Sequence, residues 1–371
     1  MRDGHGEDRA ATGRPRTGPA FGEAAALAYR YRVYLLAFVI LTVMAAIAPN
    51  FLAVGNGANV LKAAGVNLLA GAGFTLVMIA GQLDLSIGSA MTLGGMMAIG
   101  LQPQLGWAGS FAAALLCGLG LGLANGLLVA KARINSFIVT LGTMIILQNA
   151  VIIYCRGGTI PAGSFALSDW FQRPLALGVP PAAAFDLLNW LQRLASVALT
   201  PHILIPFALT GVLAVFLRRT AVGRGFFLVG GNPQTAWYSG LHVDRYVVGA
   251  FVLSGALSAM GGAIVAMSEA GANPTLGDNS LMTIVAAVII GGTSMQGGKG
   301  SLAGTAVALV ALAALVNGLS CRGEGYEVQL MASGLVLASI ILYDAYALHR
   351  RERKRGQRKD LLREWREAGG G

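Results

Sequence analysis

Residues 105–130 read LGWAGSFAAALLCGLGLGLANGLLVA, and Lys131 and Arg133 follow almost at once. The stretch contains no charged side chain, and it is longer than the roughly 20 apolar residues that cross the hydrocarbon core of a bilayer as a helix. Basic residues directly after an apolar span are typical of the cytoplasmic side of a membrane. The stretch therefore predicts a transmembrane helix that ends in the cytoplasm.

The rest of the 371-residue chain has the same character. Hydrophobic residues make up 55% of it and charged residues only 12%, whereas soluble domains carry about 25% charged residues. Of the 27 Lys and Arg residues, only 12 fall within 33–348. Half of the formal net charge of +10 comes from the tail after residue 348, where it acts as a topology signal and attracts anionic headgroups. This placement excludes a soluble protein and disfavours nucleic-acid binding.

The apolar segments predict an all-α polytopic membrane protein with about ten transmembrane helices. Two of them, 86–102 and 281–296, are short and rich in glycine, so we expect re-entrant or broken helices there. The predicted spans are 33–50, 59–81, 86–102, 105–130, 136–155, 201–218, 246–269, 281–296, 301–320 and 328–348.

The basic residues of the loops predict that both termini are cytoplasmic. The chain then divides into a cytoplasmic tail (1–32), a permease domain (33–348) and a basic cytoplasmic tail (349–371). Within the permease domain, 156–200 form an outer loop with part of a helix lying at the interface, and 218–245 form an inner loop. We expect the protein in the plasma membrane, the inner membrane of a bacterium.

Patterns that carry enzyme chemistry are absent from the sequence. Cys117, Cys155 and Cys321 are too far apart for a zinc site or a disulfide framework. The glycine-rich stretch 291–301 is not a phosphate-binding loop, because Thr293 and Gly300 occupy positions that require Gly and Ser or Thr. The chain is therefore predicted to be no enzyme and to hold no metal or cofactor, and energy from ATP would have to come from a partner.

Two groups of residues are candidates for packing and for the solute path. Glycines spaced by four residues place one helix face close to a neighbour, and a pair of adjacent glycines lies within the eighth span. The packing candidates are Gly118, Gly122, Gly126, Gly291 and Gly292. Polar side chains at membrane depth are costly and often functional. The pathway or gating candidates are Asp84, Ser86, Thr143, Gln148, Asn149 and Asn273.

Asp84, between the second and third spans, is the only acidic residue from the start of the first span to the end of the fifth. It either caps the helix that begins near Ser86, by accepting free N–H groups, or contacts the substrate directly.

Three blocks in order resemble the permease subunits of bacterial monosaccharide ABC importers, in the ribose, xylose and galactofuranose branch. They are GQLDLSIGS at 81–89, GRG at 223–225 followed by GGNPQTAWYSG at 230–240, and AAVIIGGTS at 286–294 followed by GGKG at 297–300. The likeness extends from about residue 33 to 348. One departure is Ser280-Leu281-Met282, where family members often carry an acidic pair.

The resemblance implies a translocation subunit that gives alternating access to a monosaccharide. Its partners would be a second permease copy or paralogue, an ABC ATPase that binds ATP and Mg²⁺ on the cytoplasmic side, and an extracytoplasmic sugar-binding protein. The second block would be the ATPase-coupling segment, with Asn232 and Pro233 starting a short helix and Trp237 and Tyr238 as apolar anchors. Its residues are Gly223, Arg224, Gly225, Gly231, Asn232, Pro233, Thr235, Ala236, Trp237, Tyr238, Ser239 and Gly240.

Other functions stay open at this point. A permease for branched-chain amino acids or another small polar solute shares the expected fold. An ion-coupled secondary transporter usually carries acidic residues in mid-span, and these are nearly absent from the spans. A membrane-embedded enzyme would need a paired nucleophile and base.

Overall fold

The computed structural model describes residues 31–163, 200–325, 327–339 and 342. Most of the predicted N-terminal tail, residues 164–199 of the predicted outer loop, and the basic tail 349–371 lie outside the described residues.

Helices dominate the described part of the chain, together with a pair of two-residue strands. The strands are β1 (Ile160–Pro161) and β2 (Gly271–Ala272), which pair antiparallel. The helices are α1 (Arg32–Ile47), α2 (Val54–Ile79), α3 (Ile87–Gly100), α4 (Gln102–Ala130), α5 (Ser136–Tyr154), α6 (Pro201–Arg219), α7 (Ala221–Gly231), α8 (Pro233–Tyr238), α9 (Val243–Ser268), α10 (Asp278–Ile290), α11 (Leu302–Cys321) and α12 (Glu327–Ser339).

Each of the ten predicted spans overlaps one of these helices, and the all-α polytopic fold is confirmed. Six helices, α2, α4, α5, α6, α9 and α11, are long and apolar enough to cross a membrane. The other four of the ten, α1, α3, α10 and α12, are shorter apolar helices. Hydropathy thus located the helices correctly, whereas their lengths depend on where each helix is capped.

The two glycine-rich segments form the short helices α3 and α10. At 1.5 Å per residue, their 14 and 13 residues span only about 20 Å, less than the roughly 30 Å hydrocarbon core. Their N-terminal ends meet, because the N–H of Gly277 donates to Thr92 Oγ1 at 2.9 Å. A Cβ on Gly88 would lie 2.8 Å from the Gly277 carbonyl oxygen. The two short helices therefore begin side by side inside the protein.

The predicted span 281–296 is longer than helix α10. The helix ends at Ile290 because Gly292 takes a φ of 89°. The N–H groups of Gly292 and Thr293 donate to the carbonyls of Ile289 and Val288, which is the Schellman arrangement that closes a helix. Gly292 thus ends a helix, and no packing contact explains it as predicted. Gly291, in contrast, faces Thr305, whose N would lie 2.6 Å from an added Cβ.

The same order of long, short and long helix occurs twice, in α2–α3–α4 and in α9–α10–α11. Helices α2 and α9 are the most buried of the six long helices. They cross where an added Cβ on Gly73 would lie 2.7 Å from the Cα of Ser254. Such an approach leaves no room for larger side chains, so small residues set the centre of the bundle.

Helix α4 packs on α9 through the predicted glycine face. A Cβ on Gly126 would lie 2.9 Å from Val248 Cα, and one on Gly118 would lie 2.5 Å from the Gly255 carbonyl oxygen. Gly122 faces the backbone of Phe251 just as closely. Gly120, on the other side of α4, has no atom within 4 Å of an added Cβ.

Candidate functional site

Helices α7 and α8 follow each other directly, and a side chain caps the N-terminus of each. Thr220 Oγ1 accepts from the N–H of Gly223 at 2.8 Å and starts α7. Asn232 Oδ1 accepts from the N–H of Thr235 at 3.0 Å, and Pro233 is the first residue of α8. Gly240, with a φ of 82°, follows the end of α8. The short helix that the sequence predicts, with Asn232 as its N-cap, is thus present.

The two aromatic residues of α8 point away from the protein. Trp237 is 65% exposed and Tyr238 is 81% exposed, and their rings meet edge-on at 5.2 Å. Ala236 on the other side is buried, and Ser239 Oγ donates to the Thr235 carbonyl. Helix α8 therefore rests on the bundle through a small residue and presents a pair of large apolar side chains.

Helix α7 connects α8 to the bundle. Gly223 lies against Leu217 and Gly225 lies against the ring of Tyr246, in both cases too close for a Cβ. Arg224 is exposed and donates to the carbonyl of Arg219.

A basic rim lies beside α8. Asp244 accepts from Lys131 Nζ and from Arg133 Nη2, each at 3.2 Å. One cavity of about 530 Å³ is lined by these two cations together with Asp244, Trp237 and Tyr238. The loop after α4 and the start of α9 therefore share a surface with α8.

Below α8, glycines from all three motif blocks come together in what we call the glycine junction. The N–H of Gly298 donates to the carbonyl of Ile79 at 2.9 Å. An added Cβ on Gly297 would lie 2.7 Å from Gly81 Cα, and one on Gly298 would lie 2.6 Å from Gly231 Cα. The junction consists of Gly81, Gly230, Gly231, Gly297 and Gly298. The backbones of α7 and of the 297–298 turn therefore contact the end of α2 directly, so a displacement of α7 and α8 would displace that end as well.

Three residues after Gly81, Asp84 is buried in a polar network. It is 2% exposed, and its carboxylate accepts from Ser254 Oγ at 2.9 Å and from both the N–H and the hydroxyl of Ser86. Asn125 Nδ2 donates to Ser86 Oγ at 3.0 Å, and Thr143 Oγ1 donates to Asn125 Oδ1 at 2.7 Å. The network joins α9, α4 and α5 to the turn between α2 and α3. The backbone N–H that donates to Asp84 belongs to Ser86, the residue before α3. Asp84 therefore does not accept from the N–H groups of the first turn of that helix, as a capping residue would.

Side chains of α5 complete the same turn. The N–H of Leu83 donates to Ser136 Oγ at 3.2 Å, and the N–H of Leu85 donates to Thr140 Oγ1 at 3.1 Å. The sequence interpretation named neither Asn125 nor Ser254 as a site residue. For Asn125, the sequence did offer one indication: it lies between Gly122 and Gly126, on the glycine face of α4 that was predicted to pack against a neighbour.

The remaining pathway candidates lie elsewhere. Gln148 Nε2 donates to Asp278 Oδ1 at 2.8 Å, which ties α5 to the first residue of α10. Asn149 is exposed and donates to the carbonyl of Ile145 in its own helix. Asn273 Oδ1 accepts from the N–H and the hydroxyl of Thr275, near the end of the bundle predicted to face outward. The structure therefore separates these three residues from the Asp84 network.

Within the described ranges, no group of three or more His, Cys, Asp or Glu side chains comes together as a metal site would require. Cys117, Cys155 and Cys321 are free thiols.

Comparison with known proteins places this architecture. The profile of the family described as "Branched-chain amino acid transport system / permease component" matches residues 56–342. The chain belongs to this family. It is therefore a multi-pass permease component of the inner membrane, and the resemblance noted in the motif blocks is confirmed.

Among the relatives of this permease are two ribose import permeases. It is 30% identical to that of Escherichia coli strain K12 over 82% of this chain and 90% of the relative. It is 32% identical to that of Bacillus subtilis strain 168 over 84% of this chain and 91% of the relative. It is 29% identical to the xylose transport system permease of Escherichia coli strain K12, over 80% and 86%. No solved structure matches the chain.

Proposed function

We propose that this permease is the translocation subunit of an ATP-driven importer that carries a monosaccharide. The observation that carries the proposal is the glycine junction, where the three motif blocks shared with sugar-importer permeases meet beneath the exposed helix α8. The relatives over most of the chain transport ribose and xylose, which favours a sugar over a branched-chain amino acid. The few acidic residues in the long helices argue against an ion-coupled transporter.

An ABC ATPase would bind on the face that carries α8. Trp237 and Tyr238 supply large apolar contact area at low conformational cost, as anchor residues of interfaces do. The ATPase would hold ATP and Mg²⁺, and this chain would hold neither. A sugar-binding protein would deliver the monosaccharide on the opposite face.

The geometry suggests how a push on α8 reaches the membrane. Helix α8 is short and capped at both ends, so it moves as a unit with Gly230 and Gly231 of α7. These glycines touch the end of α2 and the 297–298 turn, with no side chains between them to absorb the motion. The Asp84 turn follows α2 directly and is hydrogen-bonded to α9. A displacement of α8 would therefore shift the start of α3 relative to α9, which is the kind of two-state element that alternating access needs.

A second permease copy or a paralogue would pack on α5. This helix is the least buried of the six long helices, and it exposes Asn149 as well as large apolar side chains. An amide facing lipid is unfavourable, so a protein neighbour or an aqueous path between two subunits explains Asn149. Thr143 and Gln148 lie on the same helix and would line or support that path.

The test is uptake of labelled pentoses and hexoses into proteoliposomes that hold this chain with its co-expressed ATPase. The binding protein is added outside and ATP is trapped inside. We expect uptake that requires both ATP and the binding protein and that an ionophore does not reduce.

Matched vesicles carry an ATPase in which the catalytic acidic residue is neutralised, and these should take up no sugar. Uptake by the permease alone that collapses with an ionophore would establish a secondary transporter instead. ATP-dependent uptake of leucine and not of sugars would establish the amino-acid alternative.

A further inference from the structure

A second polar region lies at the opposite end of the bundle from α8. It is a cavity of about 530 Å³ between α2, α6, the end of α9 and the loop before α10, and we call it the outer cavity. Its volume lies within the range of about 300–1,000 Å³ that is typical of small-molecule sites. Its wall includes the polar residues Lys62, Asn67, His202, Glu269, Asn273 and Ser280.

Two of these polar groups have no hydrogen-bond partner among the residues that the structure describes. His202 is only 6% exposed, and its Nε2 has no hydrogen-bond partner among the described residues. The same holds for Oδ1 of Asn67. Buried polar atoms are nearly always paired, because leaving one unpaired costs free energy. Two unpaired atoms in the wall of one cavity therefore point to a ligand that hydrogen-bonds to them.

The fold holds His202 in this wall. Helix α6 starts at Pro201, and it approaches α2 where an added Cβ on Gly65 would lie 3.7 Å from the His202 carbonyl oxygen. The imidazole thus comes from the first turn of α6 and the Asn67 amide from the middle of α2. Both helices are long spans, so the two groups stand on rigid elements.

The outer cavity continues into a neighbour. A second cavity of about 390 Å³ shares Ala63, Asn67 and Ser280 with it and extends between α2, α10, α11 and α12. Its other polar lining is made of amides and hydroxyls: Asn59, Thr283, Asn317, Ser320, Gln329 and Ser333. Neutral donors and acceptors next to apolar side chains suit a neutral polyhydroxylated ligand.

The charges at the first cavity agree with this ligand class. Lys62 and Glu269 have opposite sign and line the same wall, so the cavity carries no net charge from its lysine and acid.

We propose that the outer cavity is a holding site for a monosaccharide, which the His202 imidazole and the Asn67 amide bind directly. The inference rests on the proposed function and adds a location for the sugar within a single permease subunit. Such a site, away from α5, would receive the sugar before the path between subunits opens.

The experiment measures protection of a cysteine at Ala63, an exposed residue that both cavities share. Cys117, Cys155 and Cys321 are first replaced by alanine, and Ala63→Cys is added. The complete complex with the ATPase is then treated with a membrane-impermeant thiol reagent. Rates are compared with and without D-ribose, D-xylose or D-galactose, with glycine betaine as the osmotic control.

We expect at least one sugar to slow modification of Ala63→Cys several-fold. His202→Phe keeps a ring but removes both nitrogens, and it should raise the half-protecting sugar concentration about three- to tenfold, the change that one hydrogen bond supports. Asn67→Leu should act in the same direction, which keeps the test open if either variant folds poorly. Thr210→Val is the control, because Thr210 has an unpaired buried hydroxyl on the same helix α6 but does not line the cavity.

Sugar uptake by the parent complex separates the two levels of the proposal. If ATP-dependent uptake is intact but no sugar protects the cysteine, or if both variants leave protection unchanged, the outer cavity is not a sugar site and the proposed function stands. If no sugar is taken up or protects, the proposed function fails and this inference fails with it.

Discussion

The carboxylate of Asp84 accepts a hydrogen bond from Ser254 Oγ at 2.9 Å, across 170 positions of sequence. Asp84 lies in the turn between α2 and α3, whereas Ser254 lies near the middle of α9. The bond therefore joins the two repeated helix groups at the centre of the bundle. Among the described residues no Lys or Arg forms a salt bridge with this carboxylate, so hydroxyl and amide donors alone stabilise it.

Replacing Asp84 should destabilise the protein through these donors. Asp84→Ala leaves the Ser86 N–H and the two serine hydroxyls without their acceptor, at a cost of roughly 1–3 kcal/mol for each buried group. Asp84→Asn keeps one acceptor oxygen and should lose less. The measurement is the thermal midpoint of the detergent-solubilised protein, followed by size-exclusion chromatography. Thr42→Ala is the control, because Thr42 is exposed and its hydroxyl donates only within its own helix, to the carbonyl of Phe38. Equal midpoints for Asp84→Ala and this control would contradict the network.

The glycine face of α4 should be sensitive at one position and tolerant two residues away. Gly122→Leu forces α4 away from the backbone of Phe251 on α9 and should abolish a monodisperse folded protein. Gly120→Leu enters open space on the same helix and should be tolerated, because leucine also favours helix over glycine by several tenths of a kcal/mol. Yield and monodispersity in detergent report both outcomes. Similar behaviour of the two variants would show that this helix pair does not pack as described.

The glycine junction should couple ATP hydrolysis to transport. A Cβ on Gly230 meets the carbonyl of Ile79, so Gly230→Ala should separate α7 from the end of α2. We expect a loss of sugar-stimulated ATPase activity of at least about tenfold, while the protein still inserts and binds its ATPase. Gly211→Ala, with no atom within 4 Å of its added Cβ, is the control. Unchanged sugar-stimulated ATPase activity in Gly230→Ala would show that the glycine junction does not couple ATP hydrolysis to transport.

The exposed aromatic pair of α8 should matter for binding and not for folding. Trp237→Ala and Tyr238→Ala remove side chains that are mostly solvent-exposed, and such changes alter stability by less than about 0.5 kcal/mol. Co-purification of the ATPase should drop sharply, as expected for anchor residues. Replacing residues 231–240 with a flexible linker should abolish docking altogether while leaving insertion intact.

Leu228→Ala provides the comparison for that prediction, because Leu228 is also exposed but lies on α7. Normal recovery of the ATPase with the linker variant would refute the coupling assignment of α8.

Several features of this protein are local properties of the chain and were predictable from it. Apolar runs located ten helices of the described chain, six of them long enough to cross a membrane, because burial of a helix in lipid depends on the summed hydropathy of its own residues. The start of α8 was equally predictable from the sequence, since the Asn232 cap and Pro233 act within three residues. The ends of helices were less predictable: α10 ends at Ile290, six residues before the end of the predicted span 281–296.

The sequence by itself determined the membrane location, the helical class, the capped helix α8 and the family to which its motif blocks belong. Only the tertiary structure decided which distant residues come together: Asp84 with Ser254, Gly81 with Gly230 and Gly297, and His202 with Asn67 in the wall of one cavity. The reason is physical. Hydropathy and capping act over one to a few turns of chain, whereas these meetings depend on the rotation and crossing of whole helices. Those are set by the close contact of small residues on separate helices, such as Gly118 with Gly255.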